Sequence, residues 1–312
     1  MNVSFAAPTL QAAWSPRHGH TVVRFRDRFW LYGGCEEQSE DPAAILGDTW
    51  SSTDGAVWRR EAASAAWPDR YLQQMVVYRG LVWMFGGMHR YRPERVNLND
   101  VWSSADGVSW DLVTGAAPWP PRHVFAAAVH DGRMWVGCGA PDGEVYYDDL
   151  WWSTDGADWH RCPADGQRFS VRKSPALVSF RGSLWVIGGM ELLRPGVCAA
   201  ANDVWRSADG CGWTRVTGGA AWSPRDFPTV IPYRDRLWLI DGREERSGRH
   251  VPELWWSTDG AEWRRHPTSL PWPGRHSASP LLWDGAVWLF GGCESGPREA
   301  HFNDVRTMRF QE

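Results

Sequence analysis

The sequence has no long apolar run and no excess of basic residues. No stretch approaches the ~18 to 20 consecutive apolar residues that a membrane-spanning helix needs. Lys and Arg number 33 against 37 Asp and Glu, and the net charge of -4 leaves no basic footprint for nucleic acid. The first 14 residues also lack the basic start and apolar stretch of a secretory signal. These absences argue against membrane and nucleic-acid partners and predict a cytoplasmic protein.

Cysteine and lysine are also scarce. The six cysteines follow no metal-binding spacing, and a chain of 312 residues does not need disulfides to hold a core. The sequence therefore predicts free thiols at Cys35, Cys138, Cys162, Cys198, Cys211 and Cys293. Lys173 is the single lysine in the chain, and we interpret it as a structural cation in preference to a catalytic amine.

Tryptophan, in contrast, is abundant, and its 24 copies follow an internal repeat. Six of them end short apolar runs and precede a glycine-containing step, with a period of about 50 residues. They are Trp30, Trp83, Trp135, Trp185, Trp238 and Trp288. An arginine stands 13 residues before each one, at Arg17, Arg70, Arg122, Arg172, Arg225 and Arg275. An acid follows in each copy, at Asp48, Asp100, Asp149, Asp203, Glu253 and Asp304. Because six equivalent like charges would repel, we predict that each arginine pairs with an acid.

Each copy reads as four strands. The first follows the arginine, the second ends at the glycine step, the third carries the acid, and a Ser-x-Asp-Gly-x-x-Trp hairpin leads into the fourth. The hairpin aspartates are expected to form turns without catalytic duty, at Asp54, Asp106, Asp155, Asp209 and Asp259. A four-stranded sheet buries little surface alone, so the copies must pack face to face with indoles between them.

The predicted fold class is therefore all-β, a six-bladed β-propeller in a single domain, 1–312. The expected blades one to six are residues 14–61, 67–114, 119–162, 169–217, 222–267, and 272–310 with 2–6. The sixth copy lacks a fourth strand, which the N-terminal residues can supply to close the ring.

The repeated arginine, the Gly-Gly step, the Asn-Asp-Val-Trp segments at 99–102 and 202–205 and the later tryptophan together resemble the Kelch repeat. The resemblance covers nearly the whole chain and implies the same propeller. Kelch-like proteins include ubiquitin-ligase adaptors, sialic acid mutarotases, nitrile-specifier proteins and the galactose oxidase propeller, so the resemblance does not assign a function. The iron motif of nitrile-specifier proteins is incomplete here, because Ile45 stands where its histidine belongs.

The positions just after each arginine and each glycine step depart from the repeat. By analogy with Kelch domains they face one rim of the channel, where their titratable groups would suit acid–base chemistry or a metal. We predict catalytic roles for His18, His20, Glu36, His276 and Glu294. Ligand contacts are predicted for Tyr71, Gln73, His89, His123, Lys173, Glu191, Asp226, Arg243 and Glu244. The alternative is that these are solvated or hydrogen-bonded rim side chains.

Two functional hypotheses follow. The first is a monomeric accessory enzyme, an isomerase, lyase or cyclase, that binds a small polar molecule at the channel mouth. Its cofactor is unknown, with a divalent metal as one option, because ligands from separate blades give no local spacing to confirm a site. The second is a non-catalytic scaffold that holds a peptide or protein on the same face. Long segments after the glycine step in blades one, two and four favour a covered pocket.

Overall fold

The computed structural model describes residues 2–36, 44–90, 96–244, 247–294 and 300–311, and within these ranges it forms 27 β-strands. The described part of the chain contains no helix long and apolar enough to cross a membrane.

The strands are short and follow the predicted repeat. The first nine are β1 (Asn2–Thr9), β2 (Thr21–Phe25), β3 (Arg28–Cys35), β4 (Ile45–Ser52), β5 (Arg59–Ala62), β6 (Gln74–Tyr78), β7 (Leu81–Arg90), β8 (Val96–Ser104) and β9 (Asp111–Thr114). The next fifteen are β10 (Ala126–His130), β11 (Arg133–Gly137), β12 (Leu150–Ser153), β13 (His160–Arg161), β14 (Arg172–Lys173), β15 (Ala176–Phe180), β16 (Ser183–Arg194), β17 (Val197–Ser207), β18 (Thr214–Thr217), β19 (Arg225–Asp226), β20 (Thr229–Tyr233), β21 (Arg236–Ile240), β22 (Arg243–Glu244), β23 (Leu254–Ser257) and β24 (Arg264–Arg265). The last three are β25 (Ser279–Trp283), β26 (Ala286–Glu294) and β27 (Ala300–Gln311).

A first compact unit comprises Met1–Ala117 and Ser277–Glu312. Its three antiparallel sheets are ordered β1-β27-β26-β25, β2-β3-β4-β5 and β6-β7-β8-β9, and they are blades six, one and two. The innermost strands are neighbours, since β2 contacts both β25 and β6. Between blades one and six, Phe29 packs 4.8 Å from Trp288 and 5.4 Å from Phe290, measured between ring centres. The facing sheets of this unit thus bury aromatic side chains, as the tryptophan count predicts.

A second compact unit, Pro118–His276, contains blades three, four and five. Their strand orders are β10-β11-β12-β13, β15-β16-β17-β18 and β20-β21-β23-β24, with the short strands β14 and β19 paired to β16 and β22. Trp135 of blade three is fully buried against Leu177 and Trp213 of blade four. The same sheet-on-sheet packing therefore holds this unit together.

This set of six four-stranded sheets confirms the predicted fold class, an all-β six-bladed β-propeller. The N-terminal strand β1 pairs with β27 from Asn2 opposite Gln311 to Thr9 opposite Val305. It supplies the fourth strand of blade six, as expected from the missing strand at the C-terminal end. The assignment of residues 1–312 to a single domain, with its blade limits, stays a prediction.

Five of the repeated arginines pair with the acid of their own blade. The N–O distances are 2.6 Å for Arg17–Asp48, 2.7 Å for Arg70–Asp100, 2.6 Å for Arg122–Asp149, 2.7 Å for Arg172–Asp203 and 3.3 Å for Arg225–Glu253. In blade three, Arg122 also donates to the backbone carbonyl of Cys138, and the Trp151 indole donates to the same Asp149 carboxylate. The acid of this acid-x-Trp step thus accepts hydrogen bonds both from the buried arginine and from the indole N–H of the tryptophan two residues later. The sixth pair, Arg275 with Asp304, stays a prediction.

The cysteines correct one expectation. Cys162 and Cys211 form a disulfide with a Cα–Cα distance of 5.2 Å, whereas the sequence predicts six free thiols. The bond joins the end of blade three to the Asp-Gly hairpin of blade four, two places 49 residues apart that only the packing of the sheets brings together. Cys35, Cys138 and Cys293 are buried thiols outside any disulfide, and Cys198 is an exposed thiol.

Candidate functional site

The predicted site residues divide between the two units. His18, His20, Glu36, Tyr71, Gln73, His89 and Glu294 belong to the first unit, and His123, Lys173, Glu191, Asp226, Arg243, Glu244 and His276 belong to the second. The structure brings some members of each set into contact.

In the first unit, His18 is held inside the fold by its backbone. Its N–H donates to the Cys35 carbonyl and its carbonyl accepts from the Cys35 N–H, at 3.0 and 2.9 Å. Its imidazole stacks on that of His301 with ring centres 4.8 Å apart and meets the Tyr71 ring edge-on at 5.7 Å. Only 1% of His18 is exposed to solvent. The side chain expected at a solvated rim is therefore part of a packed aromatic and cysteine cluster.

His20 is also interior, with 4% of its surface exposed. It lies 5.8 Å from the ring centre of Trp14 and beside the glycine step of blade six, where a methyl group added at Gly291 would lie 2.8 Å from the imidazole. Glycine at this step therefore makes room for a buried histidine as well as for a backbone with φ of +50°.

Burial lowers the pKa of His18 and of His20 to about 3. The smaller effects that also lower the pKa are the charges of His301 and His20 on His18, and that of Arg17 on His20. A general acid or base works best with a pKa near the operating pH. Both imidazoles are neutral at pH 7, and neither has a proton to donate as an imidazolium there. This arrangement does not favour the predicted acid–base chemistry, although the catalytic assignments themselves stay predictions.

The other predicted residues of the first unit have contacts of their own or differ in burial. Gln73 is buried and donates to the Tyr32 carbonyl at 2.9 Å, which makes it a support for the backbone of blade one. His89 is half-buried, with Nδ1 2.6 Å from the Asp69 carbonyl oxygen. Glu36 is exposed and Glu294 is half-buried.

The second unit contains a separate histidine pair. His276 stacks on His250 with ring centres 5.0 Å apart and planes only 6° apart, and Phe227 packs 5.0 Å from His276. Burial, together with Arg243 and Arg275, lowers the pKa of His250 to about 4. His250 is therefore neutral at pH 7.

Two buried carboxyls lie in the same unit. Burial raises the pKa of Asp226, which accepts a hydrogen bond from the Ser174 hydroxyl. Burial also raises the pKa of Asp241 to about 7, although it accepts hydrogen bonds from the backbone N–H groups of Arg275 and Gly242 at 2.6 and 2.8 Å. Buried acids of this kind belong to functional sites or to structural networks, and the backbone partners of Asp241 identify a structural network.

The remaining predicted contacts of the second unit are half-buried or charged. The Lys173 ammonium lies 5.1 Å from the Tyr146 ring centre, which makes a cation–π contact. Glu191 accepts from Arg172 at 2.9 Å, Glu244 accepts from the Ser247 hydroxyl at 2.7 Å, and His123 pairs through its backbone with Ala140. Arg243 stands opposite Asp226 where strand β22 pairs with strand β19.

Sequence reasoning missed three members of these clusters: His301, His250 and Phe227. His301 stands directly opposite Cys293 in the β26–β27 pair. Counting back from the Asp304 of the repeat signals a residue near His301, but the register shift between Phe290 and Gly292 means that a plain count places Phe302 opposite Cys293. His250 had no such signal, since it lies in a segment that follows no repeat position.

Comparison with known proteins adds a family. The model of the KLHDC2/KLHL20/DRC7 Kelch-repeats domain matches residues 4–189, well over half of the chain. The flagellar outer arm dynein alpha chain of Chlamydomonas reinhardtii is 31% identical over 173 residues, which are 51% of this chain and 4% of that protein. The leucine-zipper-like transcriptional regulator 1 homolog of Drosophila melanogaster is 28% identical over 172 residues, 48% of this chain and 17% of that protein. The chain thus spans less than a fifth of the length of either relative.

Proposed function

Because the chain belongs to the Kelch-repeat family, we propose that it is a non-catalytic interaction module that binds a peptide segment of a partner protein. The observation that carries the proposal is a hairpin of blade four. Strands β16 and β17 continue past Gly189, with Leu192 opposite Cys198 and Arg194 opposite Val197. In blades three and five the second strand stops earlier, at Gly137 and Ile240. Among the described residues of its unit, the blade-four hairpin is thus the longest strand pair.

The tip of this hairpin presents an apolar side chain to solvent. Leu193 is 62% exposed and lies between the half-buried Leu192 and the exposed Arg194. Cys198 on the opposite strand is exposed as well. We take Leu193 as the apolar anchor of the binding surface, with the charge of Arg194 beside it, because it is exposed on a regular strand. We place the peptide along this hairpin, with the half-buried Glu191 as a further contact.

The relatives support a binding role. One is a chain of a flagellar outer arm dynein and the other a transcriptional regulator, and in both the matching stretch is a small part of a much longer protein. A propeller that recurs as one part of such proteins fits an interaction module better than a free-standing isomerase or lyase. The neutral, buried His18 and His20 point the same way.

A cytoplasmic location is part of this proposal. The Cys162–Cys211 disulfide is the observation that counts against it, because disulfides are rare in cytosolic proteins.

The test uses peptides selected on the purified protein from a random library, with Kd measured for the parent and two variants. Leu193→Ser removes the hairpin anchor, and we expect at least about a tenfold loss of affinity, since burying a leucine side chain contributes about 1.5 to 3 kcal/mol. Leu112→Ser is the matched control, because Leu112 is 53% exposed on the outer strand β9. It should bind like the parent.

A fluorophore on the exposed Cys198 locates the peptide independently, because the other cysteines outside the disulfide are buried. Its emission should change on peptide binding. Failure to select any peptide, or equal affinity of the parent and Leu193→Ser, would overturn the proposed function.

A further inference from the structure

Three side chains of types that bind metal ions converge in the first unit. The ligand atoms of His18, Cys293 and His301 all lie within 4.8 Å of one another. Cys293 and His301 are opposite each other on β26 and β27 of blade six, and His18 belongs to blade one. The cluster therefore joins two blades through side chains that are far apart in the sequence.

The separation of the donor atoms is close to that of a formed site. Three atoms no more than 4.8 Å apart leave a point that is about 2.8 Å or less from each of them. Zinc is bound at about 2.0 to 2.1 Å by imidazole nitrogen and about 2.3 Å by thiolate sulfur. Each donor must move inward by less than about 1 Å, which small side-chain rotations supply.

The burial of His18 is a second and independent observation. The residue is 99% enclosed, since only 1% of its surface is exposed. Neither of its ring nitrogens makes a hydrogen bond of good geometry with the described residues. Buried polar atoms normally have a partner, and a buried one without such a partner needs an explanation. A metal ion accepts the lone pair of a neutral imidazole and would provide that partner.

We propose that His18, Cys293 and His301 bind one thiophilic d10 metal ion, and we expect that ion to be Zn2+. Imidazole and thiolate are the donors such ions prefer, and three protein ligands leave one coordination position open. On binding, the Cys293 S–H bond breaks, its proton passes to solvent, and the sulfur–metal bond forms. The bound ion then links blade one to blade six and stabilises the first unit by an amount that grows with the logarithm of the free ion concentration above Kd.

The chain offers a matched control for this site. Cys35 stands at the same repeat position in blade one as Cys293 in blade six, directly after the glycine step, and both are buried thiols outside any disulfide. It is outside the group of converging ligand atoms. Cys35→Ser and Cys293→Ser therefore remove the same atom from equivalent places, and only the second removes a proposed ligand.

The experiment uses the full chain without an affinity tag, stripped with a chelator. Zn2+ affinity is measured by competition with a chromophoric chelator, and Co2+ replaces Zn2+ to report a sulfur ligand through its thiolate charge-transfer absorption. The parent and Cys35→Ser should bind one equivalent and show the absorption band. Cys293→Ser should lose the band and bind at least about 100-fold more weakly, since even outer-shell partners of a metal contribute 10 to 100-fold.

His301→Gln provides a second variant, and the melting temperature of each metal-free protein shows whether it is folded. His301→Gln should keep the Cys293 thiol and still lose affinity. Equal Zn2+ affinity in all four proteins, or a band that persists in Cys293→Ser, overturns the proposal. Tighter binding of Cu+ that needs the same three side chains supports the site and assigns it to the softer ion. Peptide binding by the hairpin is measured separately and does not depend on this result.

Discussion

Asp241 occupies a place that glycine holds in four of the other blades, the first residue of the glycine step. Its φ is +59°, in the left-handed region that favours glycine and tolerates Asp and Asn. Its carboxyl accepts the backbone N–H groups of Gly242 and Arg275, so the side chain stabilises the conformation that a glycine would adopt freely. The cost is a buried carboxyl whose pKa rises to about 7.

This raised pKa predicts a pH-dependent penalty. Below about pH 4 the folded and unfolded states are both protonated at Asp241, and no stability is lost. As the pH rises from about 4 to 7, the unfolded chain releases the proton first, so stability falls by about 1.4 kcal/mol per pH unit. Asp241→Asn tolerates the same φ and removes this dependence. The unfolding free energy of Asp241→Asn relative to the parent should therefore increase across this range, as measured by urea unfolding; parallel curves would contradict the assignment.

Individual residues differ in how far the sequence could predict them. The pairs such as Arg122–Asp149 were predictable, because both partners recur at fixed places in every copy and equal numbers of opposite charges call for pairing. The burial of His18 was not, because repeat breaks show only that a position is free to differ. His301 lies against His18 because of the register in which β26 pairs with β27.

At the scale of an element, the Asp-Gly hairpin serves the neighbouring blade as well as its own. Asp209 accepts the N–H groups of Cys211 and Gly212, and Ser207 accepts that of Gly210, so the turn is closed by its own side chains. Gly210 has φ of +80°, and a methyl group there would lie 2.1 Å from the nearest carbon of the Trp135 indole in blade three. The equivalent glycines Gly55, Gly107 and Gly260 face Trp288, Trp30 and Trp185 in the same way.

This contact distinguishes two otherwise similar glycines. Gly210→Ala places an alanine in the left-handed region and brings its methyl group into collision with a fully buried indole. We therefore expect the free energy of unfolding to fall by roughly 3 kcal/mol or more. Gly182→Ala has a comparable φ of +68° and nothing within 4 Å, so it should lose only roughly 1 kcal/mol. Thermal or denaturant unfolding of the two variants measures the difference. Similar losses at both positions would show that the indole can move aside.

The hairpin also marks what sequence periodicity can and cannot reveal. The Ser-x-Asp-Gly-x-x-Trp pattern predicts the turn and its positive φ, because those depend on local residues. The partner indole comes from another copy about 75 residues earlier, as with Trp135 and Gly210, and only the packing of one sheet on the next brings the two together. The Cys162–Cys211 disulfide escaped prediction for the same reason, since Cys211 follows Gly210 directly.

At the scale of the whole molecule, the two ends of the chain meet in one sheet. The first unit is discontinuous in sequence, and the pairing of β1 with β27 ties its N-terminal part to its C-terminal part. Phe5 stands opposite Met308 and Val3 opposite Phe310, and both C-terminal partners are buried. The ends of the chain therefore contribute to the core of the unit, in contrast to the frayed termini of most domains.

Removing residues 1–9 tests this arrangement. The truncated protein keeps every other strand but exposes the hydrogen-bonding edge of β27, and we expect a loss of several kcal/mol from a margin that is about 5 to 15 kcal/mol for a typical domain. It should melt earlier and aggregate more readily. A synthetic peptide of residues 2–9 should restore part of the melting temperature, because a strand can add to an open sheet edge in trans. A peptide with the same residues in scrambled order controls for nonspecific stabilisation. If the truncated protein melts like the parent, or if both peptides rescue it equally, β1 does not complete blade six in solution.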